Sequence, residues 1–115
     1  MKVLITDGIS PEGAKILLTA GHDVDQVKCT PEELVANIGK YDCIIVRSAS
    51  KVTREVIEAG KNLKVIARGG VGLDNIDVEF AQARGLTVLN TPGASSISVA
   101  ELAIGHMFAL SRFLH

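Results

Sequence analysis

The chain has 115 residues, a length typical of one domain, and a formal net charge of −1 at pH 7. Its charges are mixed along the sequence and form no basic stripe, which excludes the electrostatic signature of a nucleic-acid-binding protein. Apolar residues make up 47% and aromatic residues only 3%, so the core must be aliphatic, as in parallel sheets covered by helices.

The sequence also argues against a membrane protein and a secreted protein. No apolar run reaches the length of a membrane span, and Asp7 and Gly8 follow the first apolar residues too early for a signal peptide. Cys29 and Cys43 follow no metal-binding or redox spacing, and Cys43 lies in an apolar run typical of a core. We therefore expect no metal site, no membrane or nucleic-acid partner, and a reducing, cytoplasmic setting.

The first part of the chain alternates short β-rich runs with helical patterns. Residues 3–5 predict a buried first strand. Ser10 and Pro11 are typical of the cap and the first position of a helix, which Gly21 is expected to end. A weaker second strand is predicted over residues 22–27.

A capping box opens the second helix, with Thr30 as the cap and Glu33 at the reciprocal position. This helix is predicted to end near Gly39. Residues 42–46 form the most apolar run and predict the third strand. Thr53 is then the expected cap of a third helix.

The alternation continues through the rest of the domain. Residues 63–67 predict the fourth strand, residues 76–83 a fourth helix and residues 86–89 the fifth strand. Strands and helices alternating at this spacing predict an α/β fold. We expect a five-stranded, parallel, doubly wound sheet with the flavodoxin-like strand order 2-1-3-4-5.

The last segment is apolar on nearly every face. Ser98 and Glu101 form a second capping box, and residues 99–114 predict a long helix. The Ser/Gly/Pro-rich stretch 90–98 before it is either an ordinary loop of the sheet or a hinge that leaves the domain.

Candidate ligand-binding groups follow the third and fourth strands, because ligands of an open parallel sheet bind beyond the carboxyl ends of its strands. Arg47 and Ser48 follow the third strand. The guanidinium group suits a carboxylate or a phosphate, although it could equally pair with a surface carboxylate. Gly70, Val71 and Gly72 follow the fourth strand and form either a small-anion nest or a plain tight turn.

Three other chemistries are excluded. Asn75 stands where a dinucleotide-binding fingerprint has its third glycine, and the next helix begins late. A phospho-acceptor receiver domain needs an acidic residue where this chain has Arg47, so no divalent cation would be held. The three histidines form no catalytic grouping, since they are scattered at His22, His106 and His115.

Four motifs occur in order along the chain: VRSASKVT (46–53), RGGVGLDNID (68–77), VLNTPG (88–93) and SVAELA (98–103). Together they resemble the N-terminal substrate-binding domain of D-2-hydroxyacid dehydrogenases, most nearly the phosphoglycerate dehydrogenases. The resemblance implies an NAD-dependent oxidoreductase that converts a 2-hydroxy acid into a 2-oxo acid, with 3-phosphoglycerate of serine biosynthesis as the substrate. It also implies that residues 1–97 form the substrate-binding domain. Residues 98–115 would then form a linker helix leading to an NAD-binding domain outside this chain.

The resemblance implies roles for several polar side chains. Arg47 and Ser48 would contact the phosphate or carboxylate end of the substrate, and Arg68 would add positive charge at the rim of the pocket. Ser95 stands where the family often has an asparagine, and it would offer the substrate a shorter side chain without the amide donor.

The resemblance also assigns the glycine-rich turn and the parts that are missing. The backbone N–H groups of Gly70, Val71 and Gly72 would bind the substrate carboxylate, and Val71 would also lie near the nicotinamide of NAD. The catalytic histidine, its carboxylate partner, the catalytic arginine and the NAD fingerprint are expected outside this chain, so the chain alone is predicted to be inactive. The apolar helix at 98–114 would then face water, so we expect it either to fold back as a fifth helix on this sheet or to swap into a second copy of the chain. These alternatives allow a homodimer or a helix-swapped dimer through residues 98–114.

The residues alone allow a second function. The chain could be a non-enzymatic, flavodoxin-like module, with a structural role or with a small anion bound between Arg47 and the turn at 70–72.

Overall fold

The structure is a computed structural model that describes residues 1–91, together with Ile104 and Met107. The helix predicted over 99–114 and the substrate contact predicted at Ser95 therefore lie outside the described residues. The same holds for the predicted division of the chain into a domain and a linker helix.

Five parallel strands form one sheet in the predicted order β2-β1-β3-β4-β5. The central strand, β3, carries the most apolar run of the chain, as expected of a parallel strand buried on both faces. The strands are β1 (Lys2–Ile5), β2 (Asp23–Gln26), β3 (Cys43–Val46), β4 (Val65–Arg68) and β5 (Thr87–Leu89).

Four helices connect these strands in the described part of the chain, and a single 3₁₀ turn, Ile38–Lys40, extends the second helix. Among the residues that the structure describes, no helix has the length and apolar character needed to cross a bilayer. The helices are α1 (Pro11–Thr19), α2 (Pro31–Asn37), α3 (Arg54–Ala59) and α4 (Val78–Ala83).

Side-chain caps fix the starts of the first two helices as predicted. The Ser10 hydroxyl accepts the Gly13 N–H at 3.2 Å. Thr30 and Glu33 form the complete capping box, in which the Glu33 N–H donates to the Thr30 hydroxyl at 3.2 Å and the Thr30 N–H donates to the Glu33 carboxylate at 2.9 Å. Gly21 follows α1 with φ +89°, the left-handed backbone expected of the residue that ends a helix.

The starts of the third and fourth helices differ from the prediction. Thr53 occupies the cap position of α3, but its side chain accepts no hydrogen bond from the helix. The backbone of Val52 fixes the chain there instead. The Val52 N–H donates to the Asn75 carbonyl at 2.8 Å, and the Val52 carbonyl accepts the Asp77 N–H at 3.0 Å. Because Ile76 forms a β-bridge with Val52, α4 begins two residues later than predicted, with Asp77 as its cap.

Two apolar layers cover the sheet. One contains side chains of α2, α3 and α4 packed on Leu4, Ile44 and Ile66, and the other contains Leu17 of α1 packed with Val3, Ile5 and Cys43. Cys43 is 8% exposed, which confirms its predicted place in the core, and neither cysteine forms a disulfide. Burial raises the pKa of the Cys43 thiol to about 11, so it stays a neutral, apolar group at physiological pH.

The two threonines at cap positions provide a matched stability test. We expect Thr30→Ala to lower the free energy of unfolding by about 1 kcal/mol, because the Glu33 N–H loses its acceptor, the Thr30 hydroxyl, and the capping box is broken. Thr53→Ala should change it by less than about 0.5 kcal/mol, because the Thr53 side chain makes no capping bond. Urea denaturation of both variants measures the difference, and equal losses would contradict it.

Candidate functional site

Two loops meet at the carboxyl edge of the sheet, one after β3 and one after β4. Residues 47–50 are called the arginine loop and residues 70–72 the glycine loop. Val46 pairs in register with Arg68, and the Gly69 N–H donates to the Val46 carbonyl at 2.9 Å. A Cβ atom placed on Gly69 would lie 3.6 Å from the Cγ atom of Arg47. The structure therefore brings the two predicted halves of the site together.

The arginine loop presents Arg47 and Ser48 to solvent. The Arg47 guanidinium forms no ion pair with any residue that the structure describes, whereas other arginines of the chain do. The alternative in which Arg47 pairs with a surface carboxylate is therefore not seen in the described residues. A guanidinium left in this state presents a planar fork of donors to a carboxylate or a phosphate.

The glycine loop turns its three carbonyl groups toward the protein. Its N–H groups donate to no acceptor among residues 1–91, so they remain available to an anion. The carbonyls accept, in chain order, from the Thr91 N–H at 2.9 Å, from the Asn90 side-chain amide at 2.9 Å and from the Arg68 guanidinium.

Close approach explains one glycine of this loop. Neither Gly70 nor Gly72 has a positive φ, so left-handed backbone is not the reason for either residue. A Cβ atom on Gly72 would lie 2.9 Å from an Asp74 carboxylate oxygen and 3.0 Å from the Arg68 guanidinium. A side chain at position 72 would therefore displace the Asp74 carboxylate and the Arg68 guanidinium, which form an ion pair.

The Arg68 side chain supports the glycine loop at its Gly72 end. Its side chain is 13% exposed and donates to the Gly72 carbonyl and, at 2.9 Å, to the carboxylate of Asp74. The hydrogen bond from Arg68 holds the pKa of Asp74 below its ordinary value. The positive charge of Arg68 is thus already engaged, and the substrate contact predicted for it remains a prediction.

Asp7 organises the arginine loop, which the sequence analysis did not anticipate. Its carboxylate accepts the Arg47 N–H at 2.7 Å, the Ser50 N–H at 3.0 Å and the Ser50 hydroxyl at 2.6 Å. Burial raises the pKa of Asp7, but the bonds from Ser50, Arg47 and Ala49 outweigh it, so that the pKa lies below the ordinary 3.8. The strand order itself was the available signal, because β1 lies beside β3 and both end at this edge.

Asn75 is the second residue that was missed. Its side-chain amide donates to the carbonyls of Arg47 at 2.7 Å and of Ser50 at 2.6 Å, which are the two ends of the arginine loop. In the sequence Asn75 was noted only as the residue that breaks a dinucleotide fingerprint. Its actual contacts join segments 25 to 28 residues apart, which spacing alone does not reveal.

Comparison with known proteins places the chain in a family. A model of the family described as D-isomer specific 2-hydroxyacid dehydrogenase, catalytic domain, matches residues 3–114. The chain belongs to this family.

Individual relatives share this similarity over a part of their length. The hydroxypyruvate reductase of Thermotoga maritima is 48% identical over 98% of this chain, and the D-3-phosphoglycerate dehydrogenase of Methanocaldococcus jannaschii is 50% identical over 97%. The chain spans 37% of the first relative and 21% of the second. A solved structure of NAD+-bound 3-phosphoglycerate dehydrogenase from Entamoeba histolytica superposes with a TM-score of 0.82 at 36% identity, over 95% of this chain and 38% of that chain.

The described part of this dehydrogenase domain does not form a dinucleotide site. Helix α4 begins at Val78 rather than directly behind the glycine loop, and Asn90, not an acidic residue that could bind a ribose, follows the next strand, β5. Within the glycine loop, Val71 has the side chain that could meet a nicotinamide ring, since it is 50% exposed. A metal is equally unsupported, because residues 1–91 contain no group of three metal-binding side chains.

Histidine chemistry is also missing from the described part of the domain. His22 lies just before β2, at the amino edge of the sheet, with its Nδ1 atom 3.1 Å from the N-terminal nitrogen of Met1. It is therefore at the opposite edge from Arg47. Two clefts of about 600 and 360 Å³ lie near the carboxyl edge and both reach Ala49, but neither is lined by Arg47 or the glycine loop. The candidate site is an open surface of this domain.

The pKa of Asp7 gives a direct test of the arginine loop. A lowered folded-state pKa contributes stability that is present above the unfolded value and is lost as the pH falls through the folded value. NMR titration of the Asp7 carboxyl carbon should give a pKa below 3.8, and Ser50→Ala should raise it because two atoms of Ser50 donate to Asp7. Titration at or above 3.8 in the unsubstituted chain would contradict this assignment.

Proposed function

We propose that this chain is the substrate-binding part of an NAD-dependent oxidoreductase that oxidises the 2-hydroxyl group of 3-phosphoglycerate to a 2-oxo group. One observation carries the proposal: Arg47, whose guanidinium pairs with no carboxylate among the described residues, lies on the loop adjacent to a second loop whose backbone N–H groups have no acceptor in the described residues. These are donors for two separate anionic groups at one edge of the sheet. 3-Phosphoglycerate has an anionic group at each end.

The two loops suit different ends of the substrate. A phosphate matches Arg47, because a guanidinium donates in pairs to its oxygens, and the exposed hydroxyl of Ser48 adds a further donor. The carboxylate matches the glycine loop, because a row of backbone N–H groups forms a concave site for a small anion. Similarity to a phosphoglycerate dehydrogenase supports this substrate, and similarity to a hydroxypyruvate reductase makes the phosphate contact the feature to test.

NAD is the proposed cofactor of the whole protein. The NAD+-bound relative of similar structure supports it, and Val71 is the contact proposed on this chain. A cytoplasmic setting is part of the same proposal. The described residues place no histidine at the site, so we expect the 115-residue chain alone neither to retain NAD nor to oxidise 3-phosphoglycerate.

The substrate proposal is tested by titrating 3-phosphoglycerate into the ¹⁵N-labelled chain and following amide resonances of both loops. Arg47→Ala should weaken binding about tenfold or more, since a charge-assisted hydrogen bond is lost. Arg54→Ala is the matched control. It removes the same charge from an exposed arginine that pairs with Glu58 at 3.1 Å, and it should leave binding nearly unchanged.

D-glycerate separates the phosphate contact from the carboxylate contact. It lacks the phosphate, so we expect it to shift resonances of the glycine loop and to be insensitive to Arg47→Ala. If Arg47→Ala weakened the binding of both acids equally, or if Arg47→Ala and Arg54→Ala had equal effects on binding, the result would count against the assigned roles. A response to any anion without preference would instead favour a non-enzymatic anion-binding module.

We also propose that the chain associates with a second copy of itself. On the face of the sheet that carries α1, Ala67 of β4 is only partly buried and Leu89 of β5 is 51% exposed, so residues 1–91 leave this half incompletely covered. Ile104 and Met107 are exposed as well, by 53% and 68%. In a dimer that swaps segment 98–114, exposed apolar side chains such as these would be buried between the two copies.

Light scattering over a range of concentrations tests the association. We expect a dimer for the unsubstituted chain and a shift toward monomer for Leu89→Ser. Ile16→Ser is the matched control, because Ile16 is 69% exposed on α1 and lies away from β5. A monomer at all concentrations would refute the proposal.

A further inference from the structure

The arginine loop is held from outside, at both of its ends. Residues 47–50 form no backbone hydrogen bond with one another in the described structure. The N–H groups of Arg47 and Ser50 donate to Asp7, which follows β1. The carbonyl groups of the same two residues accept from the side chain of Asn75. Two side chains from two other segments therefore determine where Arg47 and Ser48 stand.

Asn75 itself is fixed on the side of the glycine loop. It lies three residues beyond Gly72, and its carbonyl accepts the Val52 N–H at 2.8 Å. The next residue, Ile76, is 6% exposed and belongs to the main apolar layer. The backbone that carries Asn75 is thus anchored in the core, while its side chain extends to the other loop. The Asn75 amide therefore joins the segment of the glycine loop to both ends of the arginine loop.

A carboxamide suits the chemistry of this contact. Both acceptors are carbonyl oxygens, at 2.7 and 2.6 Å, so the group between them must supply two donors, and the amide nitrogen of Asn75 does so without adding a charge. Aspartate has no donor there, serine has one, and leucine has none. The orientation of the amide leaves its own oxygen buried without a partner in the described residues. An unpaired buried oxygen is unfavourable, so the two donated bonds determine this arrangement.

We propose that Asn75 is a positioning residue that sets the spacing between the arginine loop and the glycine loop. This inference rests on the proposed function, since it assigns the spacing to the recognition of an acid with an anionic group at each end. Asn75 does not touch the substrate. It makes simultaneous binding of both ends favourable, because the two sets of donors are already held at a fixed separation.

Asn75→Leu tests the inference through a ratio of affinities. We expect binding of 3-phosphoglycerate to weaken about tenfold, the equivalent of two lost neutral hydrogen bonds. Binding of D-glycerate should change little, because one loop is sufficient for it. A purely structural role would weaken both acids alike. Asn62→Leu is the matched control, since the Asn62 amide donates to the Gly39 carbonyl at 2.9 Å near the opposite edge of the sheet.

A second measurement needs no ligand and separates the two proposals. Amide hydrogen exchange at Arg47 and Ser50 should accelerate about tenfold or more in Asn75→Leu, while exchange at Ile44 within β3 stays unchanged. Asn62→Leu should accelerate neither loop amide. If neither acid binds the unsubstituted chain but the loop amides respond to Asn75→Leu, the substrate proposal fails and the positioning role stands.

If Asn75→Leu does not fold, two further substitutions of Asn75 test the same contact. Asn75→Ser keeps one donor, and Asn75→Gln keeps both on a side chain one methylene longer. Protection of the Arg47 and Ser50 amides against exchange should therefore decrease from the unsubstituted chain to Asn75→Gln and then to Asn75→Ser. Unchanged exchange at Arg47 and Ser50 in every folded variant would overturn the inference. Equal weakening of both acids by Asn75→Ser would overturn it as well.

Discussion

The carboxylate of Asp7 connects the first strand to the loop after the third, and the candidate site depends on this connection. Three donors from Arg47 and Ser50 converge on it, and they hold its pKa below the ordinary value despite partial burial. The parallel sheet makes this possible, because β1 and β3 are neighbours and end at the same edge. Without that anchor the arginine loop has no backbone hydrogen bonds of its own to define its shape.

The two loops use their polar groups in opposite ways. The backbone of the arginine loop is bound internally by Asp7 and Asn75, while its side chains at Arg47 and Ser48 face solvent. In the glycine loop the carbonyls are bound internally, and the N–H groups have no acceptor among residues 1–91. Each loop is thus held by one set of polar groups, and under the proposed function the other set would recognise the substrate.

Most of the fold follows from local patterns in the sequence. Strand β3 is a short apolar run, and the caps at Ser10 and Thr30 need only residues within one helical turn. The start of α3 was less predictable, because Thr53 has the residue type of a cap but the chain is fixed by the bridge between Val52 and Ile76. That bridge is a tertiary contact, and helix-start signals do not contain it.

The position of the two loops at one edge of the sheet could be predicted, but the side chains that support them could not. Arg47 and the glycine loop could be found because a parallel sheet binds ligands beyond its strand ends. Asp7 and Asn75 could not be assigned, because their partners are up to 43 residues away and either side chain would be equally plausible on the surface. The ion pair of Arg68 likewise depends on where Asp74 lies, which the sequence does not show.

Gly72 lies against the ion pair of Arg68 and Asp74, which connects the sequence of the glycine loop to the contacts that support it. Alanine, the smallest possible change, would already place its methyl group against Asp74 and Arg68. A side chain at position 72 would therefore disturb the ion pair that supports the glycine loop. Under the proposed function, a change of preference among acids would arise with less disturbance at the solvent-facing side chains of Arg47, Ser48 and Val71, because these side chains take no part in the supporting contacts.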